Sequence, residues 1–374
     1  MSTLEQRIHH SLSDELLMQW EQLSCEIPTA TPFQTAGWIQ AHLASFPPSK
    51  LRVAEFRSGE ATVGIIPTTA RHTRRHVRKI DWLEVAGADY SDYCCPLIHP
   101  EHVTEVANEF LLPLVKDARW KAIYFGNFAH GNRFPEELAI TAKSVGLHAS
   151  VKSLHVVRRL SREMFSELSR SGTSWSSDKQ LKKLKKQGEL EFEVVQDGTV
   201  ISKLLPQYVE MNRRSFAARG FESAFEDPRQ EIFFQNIVKF MASKGRVWLS
   251  ILHCGGMPVA MRFSLIHNGA LHLYSTCYNH EFSSVSPSTH QLRFLLEYAF
   301  ANGVEVVDFG IGDSPHKAVT GANTAGALKV VEVHRGWRGA AETWMFDMSR
   351  QYRKRFPIVE GVGRALRKVF PFGG

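Results

Sequence analysis

Apolar and polar positions alternate at period two through Val247, Leu249 and Ile251, again through Val259, Met261, Phe263 and Leu265, and again through Leu271 and Leu273 to Ser275. Gly255-Gly256 and Asn268-Gly269 separate the three runs, and both pairs suit the backbone of a tight hairpin turn. The pattern predicts an antiparallel meander. After a polar stretch, 279–286, the period lengthens. Pro287 opens a helix with Ser286 placed as its cap, and Leu292, Leu295, Leu296, Ala299 and Phe300 draw one apolar stripe along it. Asn302-Gly303 stops that helix, and residues 304–309 read as a short apolar strand covered on both faces.

Upstream, residues 13–24 carry Leu16, Leu17, Trp20 and Leu23 at helical spacing, and 35–46 form a second helix with Trp38 and Leu43, ended by Pro47-Pro48. Segments 51–56 and 61–70 pair across Ser58-Gly59. The basic run Arg71, Arg74, Arg75, Arg78 and Lys79 reads as a solvated loop or as a contact for phosphate or membrane. Strands are expected at 79–85, 93–98, 122–125 and 147–157, and helices at 101–116 and 134–145. This half repeats the strand, hairpin, helix and strand logic of the later half. The later half opens on a polar serine-rich stretch, 171–177, followed by a lysine-rich helix, 179–186, anchored by Leu181 and Leu184. That helix is either an exposed face kept soluble by its lysines or a clamp for an anionic ligand. A strand at 189–195, helices at 200–219 and 229–243, and a closing hairpin of 328–334 and 337–344 about Arg335-Gly336 complete the pattern. The divisions expected are a first domain at 1–158, a second at 159–346 and a basic helical tail at 347–374.

At 374 residues the chain is too long for one small domain, and the recurring helical and strand periods make it α/β (α+β). A net charge of +7 favours anionic partners such as a nucleotide, RNA or an anionic membrane. In the tail, cations from Arg350 to Lys368 interleave with Phe356, Ile358, Val359, Leu366, Phe370 and Phe372, which suits either an anionic membrane surface or docking on the core. Cys25, Cys94, Cys95, Cys254 and Cys277 make neither a zinc spacing nor a disulfide framework, so no metal is expected and a reducing cytoplasm fits. The first residues have no apolar core before a cleavage site, so no signal peptide is expected, and no apolar run approaches the length of a spanning helix. Motifs of triad hydrolases, zinc peptidases and nucleotide hydrolases are missing, which removes those classes.

The order meander, polar loop, helix and returning parallel strand resembles the cofactor-binding heart of the GNAT acyltransferases. In detail the residues look like the cellulose-biosynthesis CelD branch of that superfamily. Tyr278-Asn279, Ser286-Pro287-Ser288, and Asp308-Phe309 through Gly312-Asp313 to His316-Lys317 occupy its motif positions. Weaker likeness extends to Phe33-Gln34 with Trp38, to Gly64-Ile65-Ile66-Pro67 and to Asp89-Tyr90-Ser91-Asp92-Tyr93. Asn279, Ser288 and His316 stand where the branch has an acid, a glycine and a tyrosine. The resemblance implies two tandem GNAT-like domains, each a mixed, largely antiparallel sheet flanked by helices, with the first a degenerate copy.

It also implies a function. An acyltransferase of this kind uses acyl-CoA as co-substrate, with an amine or hydroxyl acceptor drawn from cell-envelope, exopolysaccharide or lipid metabolism. The helix start would receive the donor pyrophosphate, with Ser286, Pro287, Ser288 and Thr289 around it and Ser275 on the adjoining strand. Backbone N–H groups of that strand would steady the developing oxyanion. Candidates for proton handling are Asp308, His290, Tyr274 and Tyr278, with Asp308 also able to serve as a structural acid at the turn. Asp313, His316 and Lys317, with Glu222 in the 219–227 loop, would face the acceptor, although that loop also reads as a plain helix connection. The glycine-rich phosphate loop of most GNAT enzymes is missing here, as it is in the Fem-type aminoacyltransferases. Aminoacyl-tRNA is therefore the alternative donor, and the one case in which nucleic acid is a partner. A non-catalytic accessory of a membrane polysaccharide or lipid synthase is a further reading. The expected location is cytoplasmic, with peripheral contact at the inner face of the membrane if the tail binds there.

Overall fold

A computed structural model describes residues 4–48, 50–75, 78–117, 120–129, 131–170, 178–312 and 322–336. The strands, in chain order, are β1 (Glu5–His9), β2 (Leu51–Ser58), β3 (Ala61–Arg75), β4 (Arg78–Val85), β5 (Leu97–Ile98), β6 (Ala122–Phe128), β7 (His148–Ser161), β8 (Leu190–Val195), β9 (Val247–Cys254), β10 (Met257–His267), β11 (Ala270–Tyr278), β12 (Val306–Ile311) and β13 (Asn323–His334). The helices are α1 (Asp14–Glu26), α2 (Ala36–Ser45), α3 (Val103–Val115), α4 (Phe134–Ser144), α5 (Arg162–Arg170), α6 (Asp178–Lys185), α7 (Gly198–Ala217), α8 (Pro228–Met241) and α9 (Pro287–Ala301). The fold is α/β, built on one large mixed sheet flanked by helices.

The meander forms as the alternation predicts. Gly255 and Gly256, and Asn268 and Gly269, all have positive φ, the geometry of turns whose twist matches the strands they join. β9, β10 and β11 pair antiparallel, and β12 returns parallel to β11 after α9. The strand order is β1-β2-β3-β4-β6-β13-β7-β12-β11-β10-β9-β8, with β5 on β3, so one hydrogen-bonded sheet includes strands of both halves of the chain. β13 lies between β6 and β7, antiparallel to each. It completes the sheet of the first half, whereas the sequence pattern places it in a closing hairpin of the second. The other arm of that hairpin, the 171–177 stretch and the 347–374 tail lie outside the described residues.

Core clusters explain why the halves are joined. Trp20, Trp38, Val53 and Ile65 from the first half and Tyr208, Phe233, Phe234, Leu249 and Phe263 from the second make one buried cluster under α1, α2, α7 and α8. Strand neighbours point the other way: Ala54 and Phe56 pack with Phe110 and Leu138 of α3 and α4, and Leu271 and Val307 with Leu295 and Leu296 of α9. α2 and α8 touch closely, because a side chain on Gly37 would stand 2.9 Å from the Phe240 carbonyl oxygen.

Three expectations change. The basic run is not a loop. β3 and β4 pair in register from Thr68 opposite Val85 to Arg75 opposite Arg78, so the ladder carries this stretch as a strand arm. The strand expected at 93–98 shrinks to Leu97–Ile98, because Tyr93 turns inward to a buried partner. Ser286 holds the cap position of α9, but its backbone is left-handed and its side chain makes no cap hydrogen bond. Among the described residues no helix is long and apolar enough to cross a membrane.

His42, His267 and His272 are buried, and burial pushes each pKa from 6.5 down to about 4. Between those values the unfolded chain takes up protons that the folded chain does not, so stability is full above pH 6.5 and falls as the pH drops toward 4. Each histidine contributes up to about 1.4 kcal/mol per pH unit across that window. Thermal melts from pH 7 to 4.5 are expected to show this decline, with a shallower slope for His267→Gln. A melting temperature constant over that range would show that these rings ionise freely in the folded state.

Candidate active site

β11 and β12 pair at only three positions, Ala270 with Val306, Leu271 with Val307 and His272 with Asp308. Beyond His272, β11 stays with β10, while β12 runs beside β7. The parting strands open a gap in the sheet. Opposite the step between Phe263 and Ser264 the register shifts and Tyr274 is the extra residue. This bulge moves the remaining side chains by one position. Tyr274 and Ser275 therefore both face the aromatic core, Ser275 accepting from the Tyr208 hydroxyl at 2.6 Å, while Thr276 turns to α9, its hydroxyl 3.4 Å from Ser288.

The first turn of α9 sits over a buried cation. Arg262 lies on β10, between Met261 and Phe263, and is 8% exposed. Its Nε donates to Gln291 Oε1 at 3.0 Å and its Nη2 to Ser288 Oγ at 3.4 Å, both on α9. Among the described residues no carboxylate forms an ion pair with it. Burial pushes its pKa down to about 10, so it is still charged at neutral pH. A buried guanidinium held only by neutral groups is costly unless an anion comes to it. The free N–H end of α9 adds positive potential at the same place. α6 packs against the 280–285 turn that leads into α9, Asp178 of α6 lies 3.7 Å from Arg293, and Lys179, Lys182, Lys183 and Lys185 are exposed along it.

On the opposite side of the gap, His272, Asp308 and Arg159 lie in one row across β11, β12 and β7. Asp308 is fully buried. Oδ2 accepts from the Tyr93 hydroxyl at 2.6 Å and Arg159 Nε at 2.7 Å, and Oδ1 accepts from the Gly310 N–H at 2.7 Å. Burial alone would raise its pKa, but His272, Arg159 and Tyr93 outweigh it and hold the carboxyl below the ordinary carboxylate value. Burial and the facing carboxylate push the Tyr93 phenol far up.

Tyr93 belongs to the 87–93 segment of the first half, which is laid over the second half's gap. Trp38 Nε1 donates to Ser91 Oγ at 2.9 Å, Tyr90 stacks on Phe46 at 4.4 Å, and Tyr274 donates to the Tyr90 carbonyl at 3.0 Å. Asp92 lies against β12: a methyl group on Gly310 would stand 2.5 Å from its Oδ2, and the positive φ of Gly310 favours glycine there. Phe33, Trp38 and Phe234 pack around Tyr274 with ring centroids 5.5–5.9 Å away.

The residues predicted for this site are thus dispersed. Asp308, Tyr274 and Ser275 line the inner part of the gap, and Ser286, Pro287, Ser288 and Thr289 form the start of α9. Tyr278 ends β11, with the Arg219 guanidinium 5.8 Å from its ring centre. His290 is no surface residue: it is 1% exposed, and burial lowers its pKa. Glu222 is exposed on a connection pinned by Ser223 to Asn212 and by Arg213 to the Phe225 carbonyl. Asp313, His316 and Lys317 lie outside the described residues. Arg262, Asp92, Tyr93, Arg159 and His272 were not expected at the site. A charge inside the apolar run of 259–265 was the available signal for Arg262, and the acidic and aromatic cluster 89–93 the signal for Asp92 and Tyr93.

Residues 176–318 match the acetyltransferase (GNAT) domain family. That segment is similar to a GNAT domain, which supports an acyltransferase. The match begins beside α6 and ends past the strand that bears Asp308, so it spans the gap and the α9 start together. No curated protein matches the chain by sequence. Among solved structures the whole chain is similar to FemX (TM-score 0.59, 12% identity, 86% of this chain and 96% of that one). It is also similar to the C-terminal domain of a putative lysylphosphatidylglycerol synthetase from Agrobacterium fabrum (0.53, 12%, 89% and 95%). A tandem GNAT protein from the clavulanic acid biosynthesis pathway is a third (0.50, 13%, 89% and 99%). At such identities the likeness is one of fold. The segment outside the GNAT match shares in it, and that segment supplies Asp92, Tyr93 and Arg159.

The buried row makes a stability prediction. Tyr93→Phe removes one donor from Asp308 and is expected to lower the unfolding free energy by about 2 kcal/mol. Arg159→Met leaves the carboxylate without its cation, about 3 kcal/mol or more. Asp308→Asn added to Arg159→Met should recover part of that loss in urea denaturation. Simple additivity of the two changes would show that the groups do not depend on one another.

Proposed function

We propose that the chain transfers an acyl group from acyl-CoA to an amine or hydroxyl acceptor of cell-envelope, exopolysaccharide or lipid metabolism, as the likeness to the CelD branch suggests. The observation that carries this reading is Arg262, a buried cation without an acidic partner among the described residues, under the N-terminus of the helix beside the gap. That combination fits the diphosphate of a coenzyme A ester, with Ser286, Ser288 and Thr289 offering hydroxyl donors around it. The acceptor nitrogen or oxygen attacks the thioester carbonyl carbon, the C–S bond breaks, and the thiolate leaves with a proton. The bulged end of β11 offers backbone N–H groups to the developing oxyanion.

In this proposal Asp308 is a positioning residue, since three donors already occupy its oxygens. Proton removal from the acceptor falls to Asp92, whose carboxylate lies against β12 at the gap. Tyr274 and Tyr278 shape the acceptor passage, and Glu222 stands at its outer side; Asp313, His316 and Lys317 are proposed to contact the acceptor. A membrane-bound acceptor accords with the basic tail and with cytoplasmic work at the inner face of a membrane.

Aminoacyl-tRNA as donor is the second reading, and the exposed lysines of α6 favour it, because they extend the positive surface past what one diphosphate requires. Titration calorimetry decides between the two. Acetyl-CoA or a longer acyl-CoA is expected to bind with micromolar-range affinity, and Ser288→Asp to abolish the binding. Binding of aminoacyl-tRNA with none of CoA esters would replace the first reading by the second.

The assignment of the base is checked by release of free thiol from acetyl-CoA over a panel of primary amines. Asp92→Asn is expected to leave donor binding intact and to lower turnover roughly 100-fold. Full activity in that variant would remove Asp92 from the chemistry.

A further inference from the structure

A second cavity lies in the first half, away from the α9 start. Strand β3 has 15 residues and α3 has 13. At about 3.3 Å per strand residue and 1.5 Å per helix residue, the strand runs roughly 50 Å and the helix only about 20 Å. The sheet therefore outruns the helix that covers it. Past the last turn of α3, where Pro113 stands, a cavity of about 650 Å³ remains between the sheet, the end of α3 and the connection from α2 to β2. That volume is within the range of small-molecule sites, about 300–1,000 Å³.

Its walls combine apolar and aromatic side chains with His10, Lys50, Arg52, Thr68 and Asp117. Trp120 donates its indole N–H to the Leu114 carbonyl at 2.8 Å, and the Arg335 guanidinium lies 4.8 Å from its ring centre. Trp82 stands edge-on to His334 at 5.7 Å. Leu51 and Leu114 continue the lining. These apolar and aromatic side chains suit hydrocarbon. The charge is concentrated on the start of β2: Lys50 is exposed, and the Arg52 guanidinium reaches over Phe110 at 5.9 Å from its centre. Against these two cations the lining sets one carboxylate, Asp117.

We propose that this cavity binds a single-chain aliphatic anion, its hydrocarbon between Trp82, Trp120 and Leu114 and its anionic head at Lys50 and Arg52. The chemistry is common to a free fatty acid and to a one-chain anionic lipid. The site is separate from the acyl-donor site, so the proposal does not depend on which donor the enzyme uses.

Both indoles report directly. Tryptophan fluorescence, backed by calorimetry, is measured on the full chain with dodecanoate and with lauroyl-lysophosphatidylglycerol, each below its micelle concentration. Saturable one-to-one binding is expected for at least one. Dodecanoate alone assigns a free acid, and the lysolipid alone assigns a lipid. Decanoate is expected to bind about tenfold more weakly than dodecanoate if the free acid is the ligand. Lys50→Glu, at an exposed position, is expected to weaken binding about fivefold. Ala70→Phe places a ring in the cavity on a strand that tolerates it and should abolish binding with the melting temperature retained. Saturation by neither probe overturns the proposal. Equal binding of dodecyltrimethylammonium overturns it as well. So does loss of binding in Ser288→Asp with none in Ala70→Phe, which would place the probe at the donor site.

Discussion

Everything at the gap depends on how one buried carboxylate is satisfied. Asp308 ends the helix-to-strand return from α9 to β12, where β12 leaves β11 for β7. A charge with no access to water needs partners, and β12 itself supplies only the Gly310 N–H. The others come from elsewhere in the chain: Arg159 from β7 and Tyr93 from the segment that follows β4. Satisfying this group draws the first half's 87–93 segment across the opening, carries Asp92 to Gly310 and seats Tyr90 over Tyr274. The first half is thereby a wall of the site, not a neighbour to it.

The two charged centres of the site have opposite solutions. Asp308 is neutralised within the protein and its proton affinity is fixed by its surroundings. Among the described residues Arg262 has only an amide and a hydroxyl, both from α9. The first arrangement holds a shape, and the second leaves positive potential for something that arrives. Between them lies the bulged end of β11, whose one extra residue turns Thr276 to the helix and Ser275 to Tyr208. A strand without that residue would direct these side chains to the opposite faces.

Local signals in the sequence were enough for the meander, α9 and the parallel return of β12, because turn pairs, a proline and two periods each act within a few residues. What was illegible is what rests on distant partners. Alternation around residue 93 reads as a strand, yet Tyr93 bonds to a group 215 positions away and the strand is cut to two residues. Residues 71–79 look like a solvated loop because like charges crowd there, but backbone pairing with β4 decides the matter. Ser286 has the right identity for a helix cap, and its left-handed backbone turns the hydroxyl away from that use. His290 has no neighbours in the sequence that announce its burial. Arg262 was readable as an anomaly in an apolar run, but not as a site, since its meaning comes from the helix above it.

The position of β13 has a consequence for how the molecule comes to exist. β6 has β4 on one side and β7 has β12 on one side, but the facing sides of these two first-half strands find their partner only in residues 323–334. On a ribosome adding about 5–20 residues per second, some 160 residues must be made after β7 before that partner appears. Over that interval both strands present open edges, the surfaces most prone to pairing with the wrong chain. The first half is thus held waiting on the last described strand, and closure links long sequence separations, which slows folding. Newly made chains of this protein would be natural clients for chaperones that shield strand edges, and fragments ending before residue 323 would be expected to collect in aggregates even though every residue of the GNAT match is already in them.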